Sequence, residues 1–246
     1  FNYETNTTVH KSMDDINISN LEKLINNSQR PVILVGQGCN SCSDKLRDFA
    51  IKGNIPVTTT IHAMGVFDEV HNLSLDFLGM HGSVSANYAI QNSDLIIALG
   101  TRFDDRITGV VEKYAPEAFR AYKQGKGGII HVNKNINEIK SVVNSHFNFN
   151  VDCGDFLNSV KPKHKLRESW FEKINKWKND NPFRYSKDKN NMSTQEVISG
   201  INDFLLNNRN NQADGGIFCK KIINSKFNEN QNNYFIKESS EGSKWM

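Results

Sequence analysis

Between residues 31 and about 155, short aliphatic runs alternate with longer stretches of helical periodicity. The runs are Pro31-Val32-Ile33-Leu34-Val35, Ile55-Pro56-Val57-Thr58-Thr59, Asp94-Leu95-Ile96-Ile97-Ala98-Leu99-Gly100, Gly128-Ile129-Ile130-His131-Val132 and Phe147-Asn148-Phe149-Asn150-Val151. A β-branched run without polar alternation predicts a strand covered on both faces. Helices are predicted through Leu46 to Ile51, over Ala86 to Gln91, and around Ile136, Ile139 and Val142-Val143. Buried strands joined by helical crossovers imply an α/β fold: an open parallel sheet with helices on both faces. A ligand of such a sheet lies outside the carboxyl ends of its strands. Those ends are Gly36-Gln37-Gly38, Thr59-Thr60-Ile61, Gly100-Thr101-Arg102 and Val132-Asn133.

The flanks differ in character. Residues 1–18 are polar and read as a linker. Ser19 with Glu22 fits a capping box, and Leu21, Leu24 and Ile25 form one helix face behind it. After Asp155, Leu166, Trp170, Ile174 and Trp177 make a helical stripe. Residues 179–191 read as a second linker. Ser193 to Glu196 is another capping box, leading a helix with Val197, Ile198, Ile201 and Leu205 on one face. The remainder, from Asn207, is Asn-rich and aperiodic.

Composition excludes several classes. No run approaches the ~18 apolar residues of a membrane-spanning helix. Thirty Lys and Arg against 27 Asp and Glu leave a net charge of only +3, which argues against a charge-driven nucleic-acid binder. Four cysteines in 246 residues do not make a disulfide scaffold. The sequence opens with Phe1, and neither a signal peptide nor an Arg-rich presequence is recognisable, so a processed or fragmentary chain is expected.

Some short motifs bear on chemistry. Gly36-Gln37-Gly38 after a buried strand suits a phosphate loop, because glycines admit close backbone approach. A plain tight turn explains the pair about as well, since Ser41 breaks the full glycine pattern. Thr101 to Arg106 packs two cations and two anions behind a strand; a binding role is favoured over a solvated loop of paired charges. Leu78-Gly79-Met80-His81-Gly82 could lie against a ring system, although a lone His is more often structural. Cys39 and Cys42 form one C-x-x-C without the second pair a zinc site needs; a thioredoxin-like dithiol is conceivable but lacks that fold's surroundings, and incidental cysteines are the expected reading.

Taken together, Arg30 to Gly38, Ile55 to Thr60, Leu78 to Gly82, Ala86 to Ala89, Ser93 to Ile97 and Arg102 to Gly109 resemble acetolactate synthase, also called acetohydroxyacid synthase. Ala115 to Ala118, Gly127 to His131 and Trp170 to Lys178 resemble its fungal branch. The resemblance covers roughly residues 12–206. It implies a Rossmann-like FAD-binding central domain of a thiamine-diphosphate enzyme over 19–160. Residues 161–206 would be connecting helices and the start of the thiamine-diphosphate domain, and 207–246 a divergent tail. The implied reaction joins a two-carbon fragment of pyruvate to a second 2-oxoacid in valine, leucine and isoleucine synthesis. FAD is structural there.

By motif, Gly36, Gln37 and Gly38 would face the FAD phosphates. Thr60, Ile61, His62, Leu78, Gly79, Met80 and His81 would flank the flavin and ribityl chain. Gly100, Thr101, Arg102, Asp104, Arg106 and Ile107 would line the nucleotide, and Asn135, Gly154 and Asp155 its adenosine end. No catalytic or metal-ligating residue is assigned. The family also implies thiamine diphosphate, Mg²⁺, a homodimer or tetramer, a regulatory subunit and a mitochondrial location. The turn after His131 is shorter than in the fungal pattern and lacks its acidic residue. The glutamate that activates thiamine, the Gly-Gln-His-Gln motif and the Gly-Asp-Gly segment have no counterpart here. Carboligation by this stretch alone is therefore not expected, and a truncated, frame-shifted or decayed copy would explain it. The alternative is a non-catalytic nucleotide-binding or subunit-interaction module. Pyruvate oxidase is a further reading, disfavoured by Phe103-Asp104-Asp105-Arg106.

Overall fold

The computed structural model describes residues 9–13, 17–183 and 193–207. Seven parallel strands form one sheet: β1 (Val9–His10), β2 (Pro31–Val35), β3 (Val57–Thr59), β4 (Ser74–Phe77), β5 (Leu95–Leu99), β6 (Gly128–Val132) and β7 (Phe147–Phe149). Their spatial order is β1-β7-β6-β5-β2-β3-β4. The helices are α1 (Ile18–Asn27), α2 (Ser43–Gly53), α3 (Val84–Asn92), α4 (Asp105–Thr108), α5 (Pro116–Lys123), α6 (Cys153–Ser159), α7 (Glu168–Asp180) and α8 (Thr194–Asn207).

From β2 the chain winds outward through β3 and β4, returns to β5 on the other side of β2, and winds outward again through β6 and β7. This is the doubly wound order, and its direction reverses between β2 and β5. The two faces of the central strands feed separate cores. Ile33, Val35, Ile97, Leu99, Ile130 and Val132 pack with residues of α1, α2 and α6. Val32, Leu34, Ile96, Ala98 and Ile129 pack with residues of α3, α5 and α7. Every residue of β2, β5 and β6 is buried, which is why those runs carry no polar alternation.

The entry to the sheet is fixed by one carboxylate. Asp94 accepts the N–H groups of Gln29 at 2.9 Å and Arg30 at 3.0 Å, together with the Ser28 hydroxyl. These bonds set β2 and β5 side by side before the ladder begins. Arg167 plays a comparable part for α7. Its buried guanidinium donates to the carbonyls of Ser28, Gly53, Asn54, Ile25 and Lys165, tying the chain after α6 to two loops of the domain. Trp170 then buries against the α3 face, with its indole N–H on the Pro31 carbonyl.

Several local expectations are corrected. α1 is capped by Asn17, whose side chain accepts from Asn20 N–H, rather than by Ser19; Glu22 instead accepts from the Lys161 N–H. No α-helix lies between β6 and β7. Ile136–Glu138 is a single 3-10 turn, and Lys140 has φ +59°. The Asn133 and Asn135 side chains accept from backbone N–H groups two residues on, which holds this stretch in turns. β1 pairs with β7 from within the expected N-terminal linker, and β4 was not foreseen. Leu166 is exposed outside α7. The Ser193–Glu196 box does form, with reciprocal bonds; Val197 and Ile201 are nonetheless exposed. Residues 208–246 lie outside the described residues, as do 184–192 of the second linker.

Two buried histidines should make stability depend on pH. His146 stacks on Tyr122 and its Nδ1 accepts from the Ile129 N–H. His131 donates from Nε2 to the Thr101 carbonyl. Burial pushes each down to about 4. In the unfolded chain each titrates near 6.5, so from about 4 to 6.5 the unfolded state binds more protons. Stability should be full above about 6.5 and should fall toward pH 4, by up to roughly 1.4 kcal/mol per unit for each histidine. In a His146→Gln variant the urea-midpoint slope over this window should shrink by about half of that contribution; an unchanged slope would contradict this account.

Candidate nucleotide cleft

The carboxyl tips of the strands are tied in a row, one residue beyond the ladder. Leu78 N–H bonds to Thr59 O (2.8 Å), Thr60 N–H to Val35 O (2.7 Å), and Gly36 N–H to Leu99 O (2.8 Å). Gly100 N–H continues to Val132 O (2.8 Å), and Asn133 N–H to Phe149 O (3.0 Å). Above this row opens a cleft of about 520 Å³, within the size range of small-molecule sites.

Its floor lies where the strand order reverses. The turns after β2 and β5 meet backbone to backbone, with Gly38 N–H on Gly100 O at 3.1 Å. A Cβ on Gly36 would stand 2.2 Å from Gly100 O, and one on Gly38 would stand 2.8 Å from Gly100 Cα. A Cβ on Gly100 would stand 2.7 Å from Gly38 Cα, and Gly100 has φ +61°. No side chain fits between these turns, so the cleft floor is bare backbone.

One wall comes from β3 and β4. Thr60, Ile61 and His62 follow β3; Phe77, Leu78, Met80 and His81 follow β4. Gly79 does not line the cleft. It locks this wall to α4: Met80 N–H bonds to Arg106 O at 2.9 Å, and a Gly79 Cβ would stand 2.5 Å from that oxygen. Met80 is exposed at the rim, with its Sδ 3.8 Å from an Arg106 guanidinium nitrogen.

The middle is the loop from Thr101 to Ile107. Thr101 O accepts from both His131 Nε2 (2.9 Å) and Asn133 Nδ2 (3.0 Å), which anchors the loop to β6. Phe103, at φ +58°, turns inward against Tyr114 and His131 and is buried. Its neighbours Arg102 and Asp104 thereby face the cleft. Arg102 and Asp104 are 3.8 Å apart and Arg106 and Asp105 4.0 Å, with both arginines largely exposed. Such loose exposed pairs contribute little to stability, which leaves both guanidinium groups available to an anion. Asp104 Oδ1 is buried without a hydrogen-bond partner, an arrangement that calls for a donor.

The far wall is Asn133, Asn135 and Glu138. Sequence reasoning marked Asn133 as a strand tip but did not place it in the site, and it missed Phe77 and Glu138. Glu138 reaches the cleft because the expected helix is replaced by a 3-10 turn. Gly154 and Asp155 stand apart from the cleft. Gly154 packs beside Lys45 and Cys42 under the α6 cap formed by Asp152, and Asp155 lines a separate hollow with Lys11 and Asn158. Among the described residues no cluster of three His, Cys, Asp or Glu side chains is placed to hold a metal ion.

A glycine-floored cleft at the reversal point of a doubly wound parallel sheet is the place where α/β folds of this class take their ligands. Residues 18–160 match the family described as thiamine pyrophosphate enzyme, central domain, and the chain belongs to that family. It is similar to the mitochondrial acetolactate synthase catalytic subunit of Saccharomyces cerevisiae, 41% identical over 190 residues, covering 73% of this chain and 28% of the relative. It is also similar to the mitochondrial acetolactate synthase of Schizosaccharomyces pombe, 38% identical over 194 residues (75% and 29%), and to chloroplastic acetolactate synthase 1 of Zea mays, 34% over 192 residues (74% and 28%). The chain thus spans under a third of the length of these relatives.

Gly100→Ala should destabilise the chain by more than about 2 kcal/mol, since left-handed strain adds to a backbone clash. Gly125 has φ +67° but nothing within 4 Å of its Cβ position. Gly125→Ala should cost only about 1 kcal/mol. Equal losses in urea denaturation would show that the two turns do not need their close contact.

Proposed function

We propose that the cleft binds flavin adenine dinucleotide, and that this stretch is the flavin-holding part of an acetolactate synthase. The observation that carries the reading is the bare glycine floor at the reversal point, with strand tips opening to both sides of it. A pyrophosphate needs close backbone approach and nearby cations. Gly36, Gln37 and Gly38 would supply the first together with Gly100, and Arg102 and Arg106 the second. The flavin and ribityl chain would lie along Thr60, Ile61, His62, Leu78, Met80 and His81. The adenosine would lie toward Asn133, Asn135 and Glu138. Asp104 Oδ1, buried and unpartnered, would accept from a ligand hydroxyl or ring N–H. When bound, the flavin would serve as a structural group without net redox turnover.

Condensation of pyruvate with a second 2-oxoacid, and the binding of thiamine diphosphate and Mg²⁺, would fall to the longer protein. The exposed Val197, Ile201 and Phe204 of α8 would pack against further parts of that protein or another subunit. The fungal relatives named above support a mitochondrial setting.

Titration of the purified chain with FAD, followed by flavin absorbance and fluorescence, tests the reading. We expect saturable binding of one FAD per chain, with riboflavin weaker by at least about tenfold because it lacks the pyrophosphate. Arg102→Ala should weaken FAD by about tenfold through loss of a charge-assisted contact. The same sample should not form acetolactate from pyruvate. Absence of FAD binding, or equal affinity for riboflavin, would overturn the proposal.

A further inference from the structure

Behind the cleft floor, three thiols that the nucleotide reading does not use converge. Cys39, Cys42 and Cys153 are all buried and share one core. Cys39 and Cys42 lie in the 3-10 turn Gln37–Cys42. Side chains three apart in such a turn eclipse one another, so the two thiols fall on the same side. Cys39 Sγ is 3.6 Å from Leu99 O, and Cys42 Sγ is 3.5 Å from Cys39 O. Cys153 Sγ lies 3.9 Å from Val132 O, and Leu99 and Val132 are register partners on adjacent strands. Cys39 is hydrogen-bonded to both of the other thiols.

The pair is chemically asymmetric. Cys42 occupies the cap position of α2, an eleven-residue helix, and no side chain bonds the helix end there. A helix N-terminus favours a thiolate. A hydrogen bond from Cys39 lowers the Cys42 thiol below its ordinary value; burial and the Asp152 carboxylate oppose this, and Lys45 adds a smaller lowering. Cys39 moves the opposite way, raised by its bonds to Cys153 and Cys42 and by burial. Cys42 is also slightly exposed where Cys39 is fully enclosed. This is the division of labour between an attacking thiolate and a resolving thiol.

We propose that Cys39 and Cys42 form a reversible disulfide on exposure to a hydroperoxide, with Cys42 as the attacking sulfur. The Cys42 thiolate attacks one peroxide oxygen; an S–O bond forms, the O–O bond breaks, and the departing hydroxide leaves as water after taking a proton. Cys39 sulfur then attacks Cys42 sulfur; the S–S bond forms, the S–O bond breaks, and the Cys39 proton leaves with the hydroxide as a second water. Two thiols lose two electrons, and hydrogen peroxide gains them. The disulfide would staple the turn whose Gly36 and Gly38 contact Gly100, linking the floor of the cleft covalently to the start of α2.

The test uses the full chain, reduced, treated with a small excess of hydrogen peroxide, alkylated and digested with trypsin. No Lys or Arg lies between Cys39 and Cys42, so one peptide holds both. We expect that peptide to become lighter by two hydrogens and lose both alkylation sites, and dithiothreitol to restore them. A Cys39→Ser variant should stop at a Cys42 sulfenic acid, trapped by dimedone, whereas Cys42→Ser should leave Cys39 open to alkylation. Circular dichroism checks that each variant folds, and the wild-type peptide decides the matter if one does not. Retention of both alkylation sites, a cross-link to the Cys153 peptide, or dimedone on Cys39 would each overturn the proposal. None of these readouts depends on flavin binding.

Discussion

The cleft depends on one contact: the backbone of Gly36 to Gly38 lying against Gly100. β2 and β5 are neighbours at the centre of the sheet, and the chain leaves them in opposite directions. Two departing loops ordinarily keep their side chains between them. Here there are none, so the loops touch, and Gly36 and Gly38 bond across to Leu99 and Gly100. The consequence is a floor of peptide groups rather than side chains. A negatively charged, elongated ligand needs such a surface at its middle, with walls to either side for its two ends.

The walls are held rigid by hydrogen bonds that begin in the sheet itself. His131 and Asn133 both donate to Thr101 O, so the tip of β6 fixes the loop after β5. The Arg106 carbonyl accepts from Met80, so that loop in turn fixes the wall after β4. Burial of Phe103 inside this chain of contacts turns Arg102 and Asp104 toward the cleft. A cleft assembled in this way needs no separate scaffold; its geometry follows from strand order and from where side chains are missing.

Much of this was legible in the amino-acid sequence, for physical reasons. A strand covered on both faces cannot alternate, and β2, β5 and β6 announce themselves by unbroken aliphatic runs. The strand tips follow from the strands, and sixteen of the nineteen candidate site residues line the cleft. What was not legible is equally physical. β4, Ser-Leu-Asp-Phe, alternates over only four residues, and β1 is two residues long, so neither stands out by its period. The segment after β6 has helical spacing of its apolar residues, but its asparagines offer the backbone local partners that compete with a helix. That competition brings Glu138 to the cleft, and no periodicity could have shown it. Gly154 and Asp155 were placed by resemblance alone, and they lie outside the cleft, Gly154 beside Cys42 and Lys45 and Asp155 in a separate hollow.

In the proposed complex a dinucleotide would cross the glycine floor from the β4 side to the β6 side. A crystal structure of the chain grown with FAD tests it most directly. The account predicts the pyrophosphate on Gly36 to Gly38 and Gly100, the flavin toward Leu78 and Met80, and the adenosine toward Asn133 and Glu138. A cleft closed by its own side chains, or a flavin bound elsewhere on the molecule, would contradict it.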